Sequence, residues 1–287
     1  MVAFVLAGGA SLGAIEAGML RALYERGIAP ELIVGTSAGA VNGAYIASRP
    51  ATVQTAEELG ALWRQMRTLQ VFPPNPFTAA LGLIGEHDYL VSNDGVKRAL
   101  EAHAQFRRME DAPTSFHVIA TDIVSGEKRR ISSGDAEAAV LASSAIPGVF
   151  PSIEFDGRRL VDGGVAENTP IADAVELGGD PVYVLPTGGP CALPRPPRGA
   201  IQMLVHAQLL LINQRLAQDI ARYSQEVRLV VLPPPCPQPV AAWDFSQADE
   251  LIRLGYEQAV KALSGSAGER RGREQALARL RPHAHAD

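Results

Sequence analysis

The sequence has few of the features that mark several large classes of protein. Only two of its 287 residues are cysteine, which excludes a disulfide framework. Its net charge is −5, and no basic stripe points to a nucleic-acid partner. No apolar run is long enough to cross a membrane, and no positively charged leader marks a signal peptide. These absences predict a cytoplasmic globular protein that binds no nucleic acid.

Metal sites and cofactor motifs are missing from the sequence as well. No group of His, Cys, Asp and Glu residues has the spacing of metal ligands, so we predict neither a metal nor a cofactor. The two cysteines, Cys191 and Cys236, each lie in a proline-rich loop. We expect both to be reduced, with a bridge between the two loops as the alternative.

The order of the predicted elements indicates an α/β fold. An apolar strand at 2–6 leads through a glycine-rich turn into a helix at 14–26, and a second strand follows at 32–34. Strands that alternate with helices predict a three-layer α/β/α domain with a mostly parallel central sheet. The remaining expected elements are helices at 38–48, 57–67, 92–102, 135–144 and 200–223, strands at 115–121, 181–185 and 227–232, and hairpin strands at 128–131, 153–155 and 159–161.

We expect one domain over residues 1–263 and a flexible tail over 264–287. The tail is rich in Gly, Ser and Arg, a composition typical of poorly ordered chain ends; contact of its arginines with anionic lipid is the alternative. Within the domain, 51–110 is a candidate lid or insertion, because its segment 71–91 mixes prolines with large apolar residues. A lid that accepts a lipid tail must be apolar, but a core helix with a proline-rich lead-in would have the same composition.

The most informative motif is the pentapeptide Gly35-Thr36-Ser37-Ala38-Gly39. It lies between an apolar strand and a helix of small residues, an order typical of a nucleophile elbow. In such a turn the serine hydroxyl projects from the sheet, and the flanking glycines allow strand and helix to approach closely. The N-terminus of the following helix directs N–H groups toward developing negative charge. Ser37 is therefore the candidate nucleophile, with Gly35 and Gly39 as supporting residues.

The glycine-rich turn after the first strand predicts an oxyanion hole. We expect backbone N–H groups of Gly8, Gly9 and Ala10 to reach the crevice at the carboxyl ends of the strands, where Ser37 also emerges. A dinucleotide-binding loop needs a glycine where Ala10 stands, and a P-loop would close on a Lys-Ser or Lys-Thr pair rather than on Gly13. The sequence meets neither condition, and we expect Gly13 to be a supporting residue of the oxyanion loop.

The candidate base is Asp162, which ends the apolar strand Leu160-Val161 and precedes Gly163 and Gly164. A serine nucleophile needs a base to take its proton, and an aspartate at a strand end, in a chain that also holds an elbow, meets that need. An ordinary turn is the alternative, because Asp and Gly are common turn residues.

Three blocks of this sequence resemble the patatin-like phospholipase family. They are the glycine-rich loop, the pentapeptide around Ser37, and the stretch 142–151 that continues through 161–164 to 168–171. The resemblance implies a patatin-like fold and a Ser–Asp dyad, in which Ser37 is the nucleophile and Asp162 takes its proton directly and later activates water. It further implies residues 8–10 as the oxyanion hole. We expect a lipid or acyl-ester substrate and transient contact with a membrane surface.

Two positions depart from the pattern of the family. Its loop usually has a third consecutive glycine and a basic residue before the last glycine, and here these positions hold Ala10 and Leu12. Alanine keeps the N–H group but disfavours a positive φ, and leucine removes a cation that an anionic head group would meet. Both changes bear on phospholipid preference more than on hydrolysis.

Two other functions stay open from the sequence. A Ser-Asp-His esterase would use His206, which follows Asp162 in the order that α/β-hydrolases show; its apolar helix and the early position of Ser37 argue against this. A lipid- or acyl-binding protein without activity would keep the fold, but it need not retain both Ser37 and Asp162. Our main hypothesis is a serine hydrolase that cleaves acyl esters of lipids through an acyl-enzyme intermediate.

Overall fold

The structure is a computed structural model that describes residues 1–188, 196–236 and 241–264, and one eight-stranded sheet lies at its centre. The strands are β1 (Ala3–Leu6), β2 (Leu32–Thr36), β3 (Ser115–Asp122), β4 (Lys128–Ile131), β5 (Ile153–Phe155), β6 (Arg158–Asp162), β7 (Val182–Leu185) and β8 (Leu229–Val231). Their order across the sheet is β5-β6-β3-β2-β1-β7-β8, and β4 also pairs with β3.

Five neighbouring strands of the sheet run parallel. β3, β2, β1, β7 and β8 form the parallel part, whereas the pairs that involve β4, β5 and β6 are antiparallel. The prediction of a mostly parallel sheet is therefore confirmed. Parallel strands place their carboxyl ends at one edge, which is where ligands bind in open α/β sheets.

Helices cover both faces of the sheet. They are α1 (Ala14–Tyr24), α2 (Ala38–Ala47), α3 (Val53–Gln65), α4 (Thr68–Val71), α5 (Pro76–Leu83), α6 (Asp94–His103), α7 (Ala136–Ser143), α8 (Ile171–Glu176), α9 (Ala200–Tyr223) and α10 (Ala248–Ser264). Side chains of β1 alternate between two buried clusters, as a strand requires. Phe4 and Leu6 face the layer that contains α1, α2, α3 and α10, whereas Ala3 and Val5 face α8 and α9. The three-layer α/β/α architecture is confirmed.

The helix α10 is absent from the sequence predictions. It packs along α1 at two glycines, because a Cβ on Gly18 would meet the carbonyl group of Ile252 and one on Gly255 would meet that of Ile15. Glycine inside a helix weakens the local helix signal, but here it allows two helix backbones to touch.

The start of α3 also differs from its prediction. The apolar pattern placed this helix at 57–67, but it begins at Val53. The reason is a cap: the Thr52 hydroxyl accepts a hydrogen bond of 3.2 Å from the Thr55 N–H, which satisfies a donor in the first turn.

The expectation of reduced cysteines is wrong for Cys236, which is disulfide-bonded. A bridge between the proline-rich loops has a topological basis, because these loops follow β7 and β8, which are neighbouring parallel strands. Cys191 lies outside the described residues, as does the predicted tail at 264–287 apart from Ser264. In the described ranges, no helix has the length and apolar character needed to cross a membrane.

Candidate active site

Ser37 lies at the sharp turn between β2 and α2. Its φ of 55° and ψ of −120° are a strained conformation for a residue other than glycine. The side chain is only 6% exposed, and α2 begins directly after it, so that the free N–H groups of the first helical turn lie beside the hydroxyl. This is the geometry of a nucleophile elbow.

The glycines that flank Ser37 are required because three backbones meet at this turn. A Cβ on Gly35 would lie 2.5 Å from the carbonyl oxygen of Gly39, and a Cβ on Gly39 would meet the carbonyl group of Leu6 in β1. Neither glycine has a positive φ. Close packing, and not an unusual backbone conformation, therefore explains both of them.

The register of the sheet brings Asp162 to Ser37. Thr36 pairs with Ile119 of β3, and the next residue of β3, Ala120, pairs with Asp162 at the end of β6. The Ser37 Oγ donates a hydrogen bond of 2.6 Å to Asp162 Oδ2. The two residues that the sequence singled out for nucleophile and base are thus in direct contact.

The two glycines after Asp162 leave room for its carboxylate. The Gly164 N–H donates a hydrogen bond of 2.7 Å to Asp162 Oδ1, which fixes the second oxygen while the first accepts from Ser37. A Cβ on Gly163 would meet the backbone carbonyl of Ile119, and a Cβ on Gly164 would crowd Asp162 and Asn168. The Asp-Gly-Gly run therefore orients the carboxylate toward the nucleophile.

Burial sets the protonation of this pair. Asp162 is 6% exposed, and desolvation raises the pKa of its carboxyl group from 3.8 to about 6. Hydrogen bonds from Ser37 and Gly164 favour the carboxylate and offset part of this shift. Asp162 is therefore ionised at neutral pH, yet its pKa is close enough to neutrality for efficient general-base catalysis.

Ser143 and Ser144, at the C-terminal end of α7, form hydrogen bonds with the backbone of the elbow. The Ser37 N–H donates to Ser143 Oγ at 3.0 Å, and the Ser143 hydroxyl donates to the Ile119 carbonyl at 2.6 Å. The Ser144 hydroxyl lies 3.4 Å from the Ser37 carbonyl oxygen. Their roles did not emerge from the sequence, because a serine at a helix end carries no signal that distinguishes a backbone ligand from a cap.

The peptide of Gly8 is clamped from two sides. Its N–H donates to the Asn168 carbonyl at 3.1 Å, and its carbonyl accepts hydrogen bonds from the Asn168 amide and the Thr187 hydroxyl. Within the described ranges the N–H groups of Gly9 and Ala10 have no acceptor. Of the three residues expected to bind an oxyanion, Gly9 and Ala10 therefore have free donors, whereas the Gly8 N–H is already engaged.

The two departures from the pattern of the family have different structural consequences. Ala10 has a φ of 50°, so the alanine adopts the left-handed conformation that it disfavours, and it lines a cavity together with Ser37. Leu12 is 4% exposed and packs in the main hydrophobic core. A basic residue is absent from this part of the loop because the position is filled by a core side chain.

A buried hydrogen-bond network connects the end of the glycine-rich loop with α1, α2 and α3. Asn42 donates hydrogen bonds of 2.7 Å to Glu16 and 2.9 Å to the Gly13 carbonyl, and it accepts one of 2.9 Å from the Trp63 indole. Burial raises the pKa of Glu16 well above its ordinary value. A Cβ on Gly13 would press on Trp63 and Ala38, so this supporting glycine is again required by packing.

A cavity of about 410 Å³ opens beside Ser37. This volume is in the range of small-molecule binding sites. Ala38 of α2 lies in its wall with Ser37, and the wall opposite is formed by α3, α4 and α6. The large apolar side chains that line it are Val41, Leu62, Trp63, Met66, Val71, Phe72, Val96, Ile146, Phe150 and Phe245.

In the part of the chain that the structure describes, no histidine forms a hydrogen bond with Ser37 or Asp162. His206 is half-buried on α9, and it is neither a hydrogen-bond partner of Ser37 or Asp162 nor part of the cavity wall. His117 lies on β3 and forms hydrogen bonds with Ser115 and Ser132. His87 stacks on Tyr89.

Across the described residues there is no cluster of three or more His, Cys, Asp or Glu side chains that would hold a metal ion.

Two relatives each match a little under two thirds of this chain. Lysophospholipase NTE1 of Kluyveromyces lactis is 29% identical over 194 residues, which are 65% of this chain and 12% of that protein. An uncharacterised NTE family protein of Mycobacterium tuberculosis is 32% identical over 182 residues, 62% of this chain and 47% of that protein. The chain thus spans about an eighth of the first relative and about half of the second.

Solved structures and family comparison give two further findings. The structure of VipD from Legionella pneumophila aligns with a TM-score of 0.48 and 15% identity, over 91% of this chain and 66% of that one. This similarity is too low to support an inference about function. The family described as patatin-like phospholipase matches residues 4–175, a range that contains the elbow, Asp162 and the glycine-rich loop. Because this match covers more than half of the sequence, the chain belongs to the patatin-like phospholipase family.

Proposed function

We propose that this protein is a serine acyl hydrolase that cleaves carboxylic ester bonds of lipids with a Ser37–Asp162 dyad. The observation that carries the proposal is the 2.6 Å hydrogen bond from Ser37 Oγ to Asp162 Oδ2. It is supported by the apolar cavity beside Ser37 and by the membership of the family.

In the acylation step, Asp162 takes the hydroxyl proton as Ser37 Oγ attacks the carbonyl carbon of the ester. Negative charge develops on the carbonyl oxygen, and the N–H groups of Gly9 and Ala10 together with the N-terminus of α2 stabilise it. The bond to the alcohol then breaks, and Asp162 returns the proton to the departing alkoxide. The products are an acyl ester of Ser37 and a free alcohol.

In the deacylation step, water replaces the alcohol. Asp162 takes a proton from the water as its oxygen adds to the acyl carbonyl carbon. The bond to Ser37 Oγ breaks, Asp162 returns the proton to that oxygen, and the carboxylic acid leaves. The pKa of about 6 for Asp162 suits both transfers, because the group must accept and release a proton in each step.

The chemistry of the cavity supports an acyl chain as the bound group. Its interior is rich in aromatic and aliphatic side chains, and burying each methylene of a chain contributes about 0.8 kcal/mol. The relative from Kluyveromyces lactis is a lysophospholipase. We therefore propose phospholipids or lysophospholipids as the substrates of this chain.

Contact with a lipid surface is part of the proposal. Leu69, Phe77, Leu83 and Ile84 lie in or next to α4 and α5, and each is about 70% exposed or more. Exposed patches of large apolar side chains are typical of surfaces that bind lipid or protein. They support the interpretation of 51–110 as a lid that contacts the membrane transiently.

Hydrolysis of p-nitrophenyl esters of graded chain length tests the proposal. Ser37→Ala and Asp162→Asn are each expected to lower kcat/KM by at least about a thousandfold, whereas His206→Ala should stay within about twofold of the wild type. Circular dichroism of each variant controls for folding. Loss of activity in His206→Ala would favour the Ser-Asp-His esterase, and an inert wild type would favour a lipid-binding protein without activity.

A further inference from the structure

Exposure divides the lining of the cavity into an interior and a rim. Trp63, Phe150 and Phe245 are at most 5% exposed and form an apolar interior. Gln65, Gln70 and Arg98 also line the cavity, but they are exposed. The polar side chains thus lie where the cavity meets solvent, a division that suits an amphiphile with its chain inside and its head group at the rim.

Arg98 carries the charge of this rim. The other side chains that line the cavity are neutral, so this guanidinium is what a charged ligand would meet there. It lies on α6, one turn after Gly95, at which α6 touches the backbone of Gln70. Arg98 and Gln70 therefore come from two elements in contact, and both face the same opening.

Arg98 has no partner in the part of the chain that the structure describes. Its neighbour Lys97 forms ion pairs with Glu101 and Glu137. Asp94, one turn earlier on α6, accepts a hydrogen bond from the Ser92 hydroxyl instead. Arg98 forms neither an ion pair nor a hydrogen bond within residues 1–188, 196–236 and 241–264. Its five N–H donors are thus available to a ligand.

The position of Ser37 restricts which anion Arg98 would bind. If the ester carbonyl lies at Ser37, the carboxyl end of the acyl group is already placed there. A negative group at the rim must then belong to the alcohol part of the substrate. Guanidinium groups bind phosphate through paired hydrogen bonds, and phosphate is the anion that an esterified glycerol carries in lipids.

We propose that Arg98 binds the phosphate of an acylglycerol phosphate whose acyl chain fills the cavity, and so selects anionic phospholipid esters over neutral ones. The inference rests on the proposed function. It also gives a location for the cation that is missing from the glycine-rich loop, where the core side chain Leu12 stands.

A matched pair of substrates tests the inference. A 1-acylglycerol 3-phosphate and the 1-acylglycerol with the same chain differ only in the phosphate, and both are assayed below their critical micelle concentrations. Arg98→Gln is expected to lower kcat/KM about tenfold for the phosphate ester, mainly through KM, and less than about twofold for the neutral ester. Lys97→Gln, the adjacent cation on the same helix, should change neither value by more than about twofold.

Binding supplies a readout that is independent of turnover. Calorimetry with Ser37→Ala and Ser37→Ala/Arg98→Gln should show about tenfold weaker binding of the phosphate ester by the double variant. Equal losses for both esters, or none, in Arg98→Gln would overturn the inference. Inorganic phosphate that competes as well as the lipid would assign Arg98 to free phosphate and overturn it too. A wild type that binds the phosphate ester but hydrolyses neither substrate would contradict the proposed function and leave the phosphate site standing.

Discussion

The two halves of the candidate site are built in different ways. The catalytic edge (8–13, 35–39 and 162–168) consists of turns in which backbone touches backbone, so that a Cβ on Gly39 or Gly163 would collide with a carbonyl group. The cavity wall (α3, α4 and α6) consists of helices whose side chains meet across open space. Positions on the edge therefore tolerate almost no added side-chain atoms, whereas positions on the wall are restricted only in side-chain volume and polarity.

This difference explains why one half of the site has motifs and the other has none. A position with no room for a side chain is restricted to glycine, and a position that needs a buried, hydrogen-bonded carboxylate is restricted to an acidic residue. An apolar wall accepts Leu, Met, Phe or Val at most positions if the volume is kept. The sequence of the catalytic edge therefore predicts the type of reaction, whereas the choice of substrate depends on the geometry of the cavity wall.

The largest effect is expected from adding one methyl group at the catalytic edge, compared with the same change in α3. Gly163→Ala places a Cβ against the Ile119 carbonyl, and we expect it to destabilise the fold by about 3 kcal/mol and to abolish activity. Gly60→Ala in α3 meets Ile252 at an ordinary 3.4 Å, so it should stabilise the helix by about 0.5–1 kcal/mol. Chemical denaturation measures both values. Equal effects of the two changes would contradict the contrast.

The next effect concerns the charge buried at the edge. The folded pKa of Asp162 is raised from 3.8 to about 6, so the folded state binds more protons between these pH values, and stability from this group falls as pH rises through them. At pH 7.5 Asp162→Asn should therefore raise the free energy of unfolding by about 2 kcal/mol. Arg98→Gln on the wall should change it by less than about 0.5 kcal/mol. A destabilised Asp162→Asn would show that its hydrogen bonds outweigh desolvation.

Activity should titrate with the same group. The base must be ionised to accept the proton of Ser37, so kcat/KM for a neutral ester should fall about tenfold per pH unit below pH 6 and be level above it. The expected midpoint follows from the pKa of about 6 for Asp162. A pH–rate profile with its midpoint near 4, or with none between pH 5 and 8, would be inconsistent with a desolvated aspartate as base.

The smallest effect is expected on the wall. Met66 lines the cavity of about 410 Å³ and also a small neighbouring cavity of about 20 Å³. Met66→Ala should join the two and lengthen the preferred acyl chain by about two methylenes, with each worth about 0.8 kcal/mol in kcat/KM. The exposed Val124→Ala serves as the control, since Val124 lies in the turn between β3 and β4 and lines neither cavity. An unchanged chain-length profile in Met66→Ala would exclude this residue as a determinant of length.

Much of the edge could be predicted from the sequence, because its causes are local. Ser37 stands between an apolar strand and a small-residue helix, and Asp162 ends a strand before two glycines; each pattern is visible within ten residues. That these residues bond to each other depends on the pairing of β3 with β2 and β6, which no local pattern contains. The resemblance to a family supplied that link.

Residues whose roles depend on distant partners were missed. Asn168 and Thr187 hold the Gly8 peptide, but an asparagine or threonine in a loop has many uses. The close packing of α10 on α1 rests on Gly18 and Gly255, which make both helices look weaker in sequence than they are. Cys236 was expected to be reduced but is disulfide-bonded, because no local pattern shows which residues the fold brings within bonding distance.

Labelling with a fluorophosphonate, followed by peptide mapping, tests the dyad most directly. The reagent phosphonylates a serine only when a base activates it. We expect a single adduct on Ser37 in the wild type, labelling slowed at least about a hundredfold in Asp162→Asn, and an unchanged rate in His206→Ala. An adduct on another serine, or labelling of Ser37 at the same rate in Asp162→Asn, would contradict the Ser37–Asp162 dyad.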